Sequence, residues 1–232
     1  MSLPTSLIFI AIAAAILYGV VSAVRQRARR EAFIRAYMFP RGVFEKLRKV
    51  RPGLDAKEQQ LVARALRQFF LAYLKSGFRR VAMPSQAADD LWHEFILFTR
   101  EYQAFCTAAF GRFLHHTPAV KLGAAKADNE GLRRVWWFCC LEENINPRQA
   151  TRLPLLFALD KKLGIADGFR YDLDCRRAPR EVAAGGAAGS QCAEAFGDSS
   201  IDGSTDGFGC GSGDASGGDG CSGGCSGGCG GD

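Results

Sequence analysis

No charged side chain precedes Arg25, and no lysine or arginine follows Arg180. Histidine is scarce as well: the chain has three, His93, His115 and His116, all within a 24-residue stretch. The body carries no Cys-x-x-Cys pair and no His-Glu-x-x-His spacing, so the zincin reading fails. No glycine-rich turn joins a strand to a helix, which removes the phosphate-loop and dinucleotide fingerprints, and no serine sits in a nucleophile elbow. Cysteine is odd in number at nine, so complete intramolecular pairing is impossible. Strand-like alternation is rare throughout.

What is present is unevenly distributed. Of 27 glycines, 18 follow Arg180, as do five of the nine cysteines and eight acidic residues. The net charge of +6 therefore divides into a basic body and an acidic tail. The uncharged run Leu7–Val24 has 18 residues, a helical length of roughly 27 Å, which matches the hydrocarbon thickness of a bilayer. Arg25, Arg27, Arg29 and Arg30 follow it at once, and the positive-inside rule then puts the N-terminus outside and the remainder in the cytoplasm. A cleaved signal peptide with Val21-Ser22-Ala23 as its processing site is the rival reading; the uncharged n-region and the arginines past the site oppose it. The basic run from Arg25 to Arg51 has three readings: a topology signal that also meets anionic lipid head groups, a solvated helix face, or a nucleic-acid patch. The third is the weakest, because no aromatic interleaving or binding motif accompanies the charge.

The sequence thus predicts an all-α protein. Residues 1–24 form a transmembrane anchor, 25–53 a basic juxtamembrane helical segment, 54–165 a compact helical domain, and 166–232 a disordered tail. About five helices are expected. Asp55 with Glu58 makes a capping-box start, and Leu61, Val62, Ala65, Leu66, Phe69, Phe70, Tyr73 and Leu74 recur at three- and four-residue spacing. Pro84-Ser85 opens a helix read as running to Phe110; another spans about Asn129 to Ile145. Asn146-Pro147 is expected to start a last one, with Pro154 marking a kink or a late start. The tail is too poor in large apolar groups to offset its ordering entropy. Its Cys221, Cys225 and Cys229, four residues apart, are either a flexible chelator for a soft metal or incidental to a spacer. In a reducing cytoplasm Cys106, Cys139, Cys140 and Cys175 are expected as free thiols.

The histidine segment, Pro84 to Pro118, is where chemistry would lie. Asp89 and His93 are one helical turn apart, at the edge of a face formed by Ala88, Leu91, Trp92, Phe95 and Tyr102. On one continuous helical wheel Arg100 joins them. A carboxylate at that spacing orients the imidazole and makes it more basic. If the turn at Gly111 folds back, His115 and His116 can face His93. The resulting set of His93, His116, His115 and Asp89 suits zinc or another divalent first-row metal, with Trp92, Tyr102 and Arg100 around it. The plain alternative is a buried structural Asp89–His93 hydrogen bond with a polar helix end. A catalytic Cys106–His116 pair is a further, poorer reading, since Cys106 falls near the apolar face.

Asp89, Trp92, His93, Tyr102, Phe113 and His116 together form an Asp-x-x-Trp-His element, a tyrosine and a Gly-x-Phe-x-x-His element. Over these 35 residues the chain resembles the glycine-rich domain-containing protein family. That resemblance implies a shared helical fold and a shared polar site without a reaction. Many members have a second histidine two residues after the first and acidic residues after the last; Phe95 and Thr117 stand there in this chain. Three functions remain open: a membrane-tethered module that binds a metal or a protein, a metal-dependent enzyme, or a scaffold with structural histidines.

Overall fold

The computed structural model describes residues 3–116, 126–173, 191–192 and 196. Among them are seven helices and one two-residue strand pair, in agreement with the all-α expectation. Helix α1 (Leu3–Ala36) is continuous for 34 residues, carrying the apolar run and the first arginines without a break. Its stretch from Ile8 is long and apolar enough to cross a membrane and is left uncovered by the domain. Burial begins only near its end, at Ile34.

Pro40 turns the chain into α2 (Arg41–Val50), which buries Val43 and Leu47 while Arg41, Lys46, Arg48 and Lys49 stay exposed. Helix α3 (Ala56–Lys75) starts with the expected capping box: Glu58 N donates to Asp55 Oδ1 at 2.7 Å, and Asp55 N to Glu58 Oε2 at 2.8 Å. Its three- and four-residue apolar spacing wraps more than half of its circumference, which makes it the central element, touched by α1, α4 (Gln86–Leu97), α6 (Lys126–Glu142) and α7 (Leu155–Lys162). The core between them is rich in aromatic rings, including Phe69, Phe70, Phe95, Phe105 and Trp136.

Two features differ from the sequence-based expectation. The helix expected from Ser85 to Phe110 is two helices, α4 and α5 (Thr99–Phe110), separated at Phe98, whose φ of −83° and ψ of 67° leave the helical region. The Phe98 ring lies over Gly42, where a Cβ would come within 2.8 Å of its Cζ, so packing on α2 holds the break open. Asn146-Pro147 forms a turn rather than a helix start. Asn146 Oδ1 accepts from Arg148 N, and Pro147 O accepts from the Trp136 indole. Helix α7 begins late, with Pro154 at its N-cap.

The packed domain also runs past Ile165. Tyr171 opens a short strand, β1 (Tyr171–Asp172), parallel to β2 (Gln191–Cys192). Phe196 is buried against Trp136, Phe157 and Tyr171. The sequence reading placed these residues in the tail, because they follow the last helical pattern and carry no periodic signal of their own. Cys221, Cys225 and Cys229, and the disorder expected of the tail, lie outside the described residues.

Candidate metal centre

The local structure that positions the site starts at Asp160 of α7. Its carboxylate is buried and accepts from Ser85 Oγ (2.7 Å), Gln86 N (2.7 Å), Ala87 N (3.2 Å) and Phe169 N (2.9 Å). Ser85 Oγ accepts in turn from Ala88 N at 3.2 Å, so side chains satisfy the free amides at the start of α4. This fixes the first turn of α4, where Asp89 projects inward and is 5% exposed. Asp90, the next residue, turns the other way and pairs with Arg51 at 2.7 Å; Arg51 also grips Asp167.

The second half of the site arrives by the return from α5. Gly111 takes a φ of 71° at the helix end, a left-handed conformation suited to glycine. Leu114 is then anchored by Tyr102, whose hydroxyl donates to Leu114 O at 2.5 Å and accepts from the Trp92 indole at 3.2 Å. Phe113 stacks edge-on against Tyr102, with ring centroids 5.3 Å apart. Two residues beyond Leu114, the His116 ring meets the Trp92 ring edge-on at 4.4 Å.

His116 Nε2 donates to Asp89 Oδ1 at 2.8 Å. His93 Nδ1 stands 3.7 Å from Asp89 Oδ2, too far for a hydrogen bond, and the two imidazole centroids are 4.2 Å apart. The His116 side chain is 8% exposed and that of His93 45%, so the cluster is walled on one side and open to solvent on the other. One ligand atom from each of Asp89, His93 and His116 lies within 4.8 Å of the other two. With metal–ligand bonds of about 2.1 Å, tetrahedral ligands stand roughly 3.4 Å apart, so closure requires a shift of at most about 1.4 Å at the widest pair. The exposed His93 ring can supply it by rotating.

The structure thus assembles three of the four candidate ligands. His115 is outside the cluster: it is exposed, lies against Phe113, and lines a neighbouring cavity of about 100 Å³ with Trp92, Met83 and Leu114. Trp92 packs against His116, and Tyr102 bonds to Trp92. Arg100 does not belong there, because the break at Phe98 invalidates a single wheel through both helices and leaves Arg100 exposed on α5. Cys106 is buried beside Tyr102 and Leu114, and burial pushes its thiol up, the reverse of what a nucleophile needs. Cys139 and Cys140 are likewise buried and free, with burial raising both thiols, that of Cys140 to about 12. Sequence reasoning missed Asp160, which comes from 71 positions away in the chain and leaves no local pattern.

The comparisons with known proteins replace the resemblance drawn from the histidine motif. No curated protein and no solved structure matches the chain. A family model described as UCP032817-like matches residues 29–196, from the last turns of α1 through Phe196. Nothing supports membership of the glycine-rich domain-containing family: that reading rested on 35 residues, whereas this match spans the whole packed domain and leaves the apolar part of α1 outside it. The chain belongs to the UCP032817-like family.

Proposed function

We propose that this protein is a membrane-anchored helical module whose Asp89, His93 and His116 bind a divalent metal ion, zinc being the best fit to two imidazoles and a carboxylate. The observation that carries the reading is the gathering of three ligand atoms, from α4 and from the return after α5, within 4.8 Å of one another at the domain surface. Trp92 and Tyr102 back the cluster, which is how ligand orientation is held in metal sites. The apolar part of α1 is the anchor, with the domain on the cytoplasmic side by the charge rule.

Three protein ligands leave a fourth position on the solvent side at His93. That opening accommodates a protein side chain or a small molecule and keeps the metal-dependent enzyme as an alternative. The adjoining cavity favours binding over catalysis, since Trp92 and His115 line it and the three ligands do not. The structural reading has its own support in the 2.8 Å Asp89–His116 hydrogen bond, which pairs the carboxylate with an imidazole directly.

Metal content decides between them. The full chain, purified in detergent and dialysed against zinc, is expected to hold near-stoichiometric metal by plasma mass spectrometry, with His93→Ala and His116→Ala both losing it. His93 is half-exposed, so His93→Ala should leave the melting temperature of the metal-free protein nearly unchanged. Metal-free wild type alongside a destabilised His116→Ala would make the cluster structural.

A further inference from the structure

The N-terminal helix meets the domain at defined heights, and these heights identify the face that lies on the membrane. Arg27 is three residues past Val24, about 4.5 Å along the helix, and Arg30 about 9 Å. Arg27 Nη2 donates to Lys75 O at 3.1 Å, the carbonyl end of α3. The Arg30 guanidinium lies against Gly111, where a Cβ would come within 2.6 Å of it, at the carbonyl end of α5. Farther along α1, Phe33 packs on Phe105 and Arg35 pairs with Glu142 at the surface. The head-group layer of a bilayer is roughly 5–8 Å deep on each side. For a span that ends at Val24, the C-terminal end of α3 falls within this layer and that of α5 at its outer edge.

Those two ends carry positive charge from distant parts of the sequence. After α3 the chain turns at Gly77 and Phe78, both at positive φ, and presents exposed Arg79 and Arg80. After α5 comes exposed Arg112, its guanidinium 5.0 Å above the Phe78 ring. With Arg25, Arg27 and Arg29 exposed on α1, arginines from three segments surround the point where the span leaves the domain. Helix C-termini carry partial negative charge, which an anionic surface would repel; Arg27 and Arg30 cover both ends.

We propose that Arg79, Arg80 and Arg112, with the arginines of α1, form a collar that seats the domain on anionic lipid head groups. The inference rests on α1 spanning a membrane. It extends lipid contact from the juxtamembrane helix to the folded domain and identifies the loops after α3 and α5 as its lipid-facing surface.

The test is hydrogen–deuterium exchange of the full chain in lipid nanodiscs of phosphatidylcholine, alone or mixed with phosphatidylglycerol. Segments 77–82 and 111–114 are expected to exchange several-fold more slowly in the anionic discs. That slowing should vanish in high salt and in Arg79→Gln/Arg80→Gln/Arg112→Gln. Equal exchange of the wild type in the two lipids overturns the proposal, as does slowing that survives the triple substitution. So does equal protection by soluble glycerol phosphate in phosphatidylcholine discs, which would mean a phosphate site rather than a lipid surface. If the triple variant loses helical circular dichroism, Arg112→Gln with the salt titration carries the same comparison. Alkaline carbonate extraction of vesicles tests the span separately: release of the wild type from both lipids would refute the anchor itself.

Discussion

Tyr102 shows how a side chain outside the ligand set can control it. Its hydroxyl links the Trp92 indole to Leu114 O, and burial raises its pKa, so it stays protonated and keeps donating. Tyr102→Phe would leave a buried indole N–H and a buried carbonyl without partners, at a cost of about 1–3 kcal/mol in denaturant unfolding. Because Leu114 is two residues from His116, zinc affinity measured by competition with a chelator should also fall, by roughly 10–100-fold. A wild-type affinity in that variant would mean Tyr102 serves the fold alone. At this scale part was legible in the sequence: Asp89 and His93 come within 3.7 Å because one helical turn separates them, and the glycine at 111 signals the return. The division between His115 and His116 was not legible, since adjacent residues outside a helix or strand have no periodicity to assign their faces.

Close approach governs the elements. Gly131 sits in α6 where a Cβ would lie 2.9 Å from Ala82 N and 3.0 Å from Val81 C, both backbone atoms unable to yield cheaply. Alanine gains about 1 kcal/mol in helix propensity over glycine, while overpacking against a fixed backbone costs about 1–3 kcal/mol. Gly131→Ala is therefore expected to lower the melting temperature despite the better helix former; a rise would show that the segment at 81–82 can move aside. The same principle explains which elements the sequence revealed. Helix α3 announced itself through a capping box and eight periodic apolar positions. The break at Phe98 did not, because it depends on Gly42 from another helix. The Asn146-Pro147 pair looked like a helix start by local chemistry and became a turn because the Trp136 indole claims the Pro147 carbonyl. Phe196 was illegible for a similar reason, its burial being decided by Trp136, Phe157 and Tyr171 rather than by its neighbours in the chain.

An ionic junction ties the N-terminal helix to α3 and α6. Glu142 of α6 receives Arg35 of α1 at 2.9 Å and Lys75 of α3 at 2.6 Å. Burial pushes the Glu142 carboxyl up, but the hydrogen bonds from Arg35 and Lys75 outweigh it and hold the group below its ordinary 4.5. A depressed carboxylate stabilises the fold above its unfolded-state value and loses that contribution as pH falls through the folded one. The stability gap between wild type and Glu142→Gln should thus be full above pH 4.5 and close below it, as followed by thermal melts across pH. A gap independent of pH would show that the junction is held by packing instead.

Because α1 has no proline or glycine between Val24 and Ala36 and is held by Arg27, Arg30 and Arg35, the proposed span and the domain are expected to turn as one lever. Membrane helices adjust their tilt to bilayer thickness. On the proposed anchor, lipid thickness would thereby set the angle at which the histidine cluster faces its surroundings. In nanodiscs of increasing acyl-chain length, energy transfer from a probe on the exposed face of α2 to a head-group acceptor should change steadily. A Gly-Gly insertion after Val24 should uncouple the two and abolish that change.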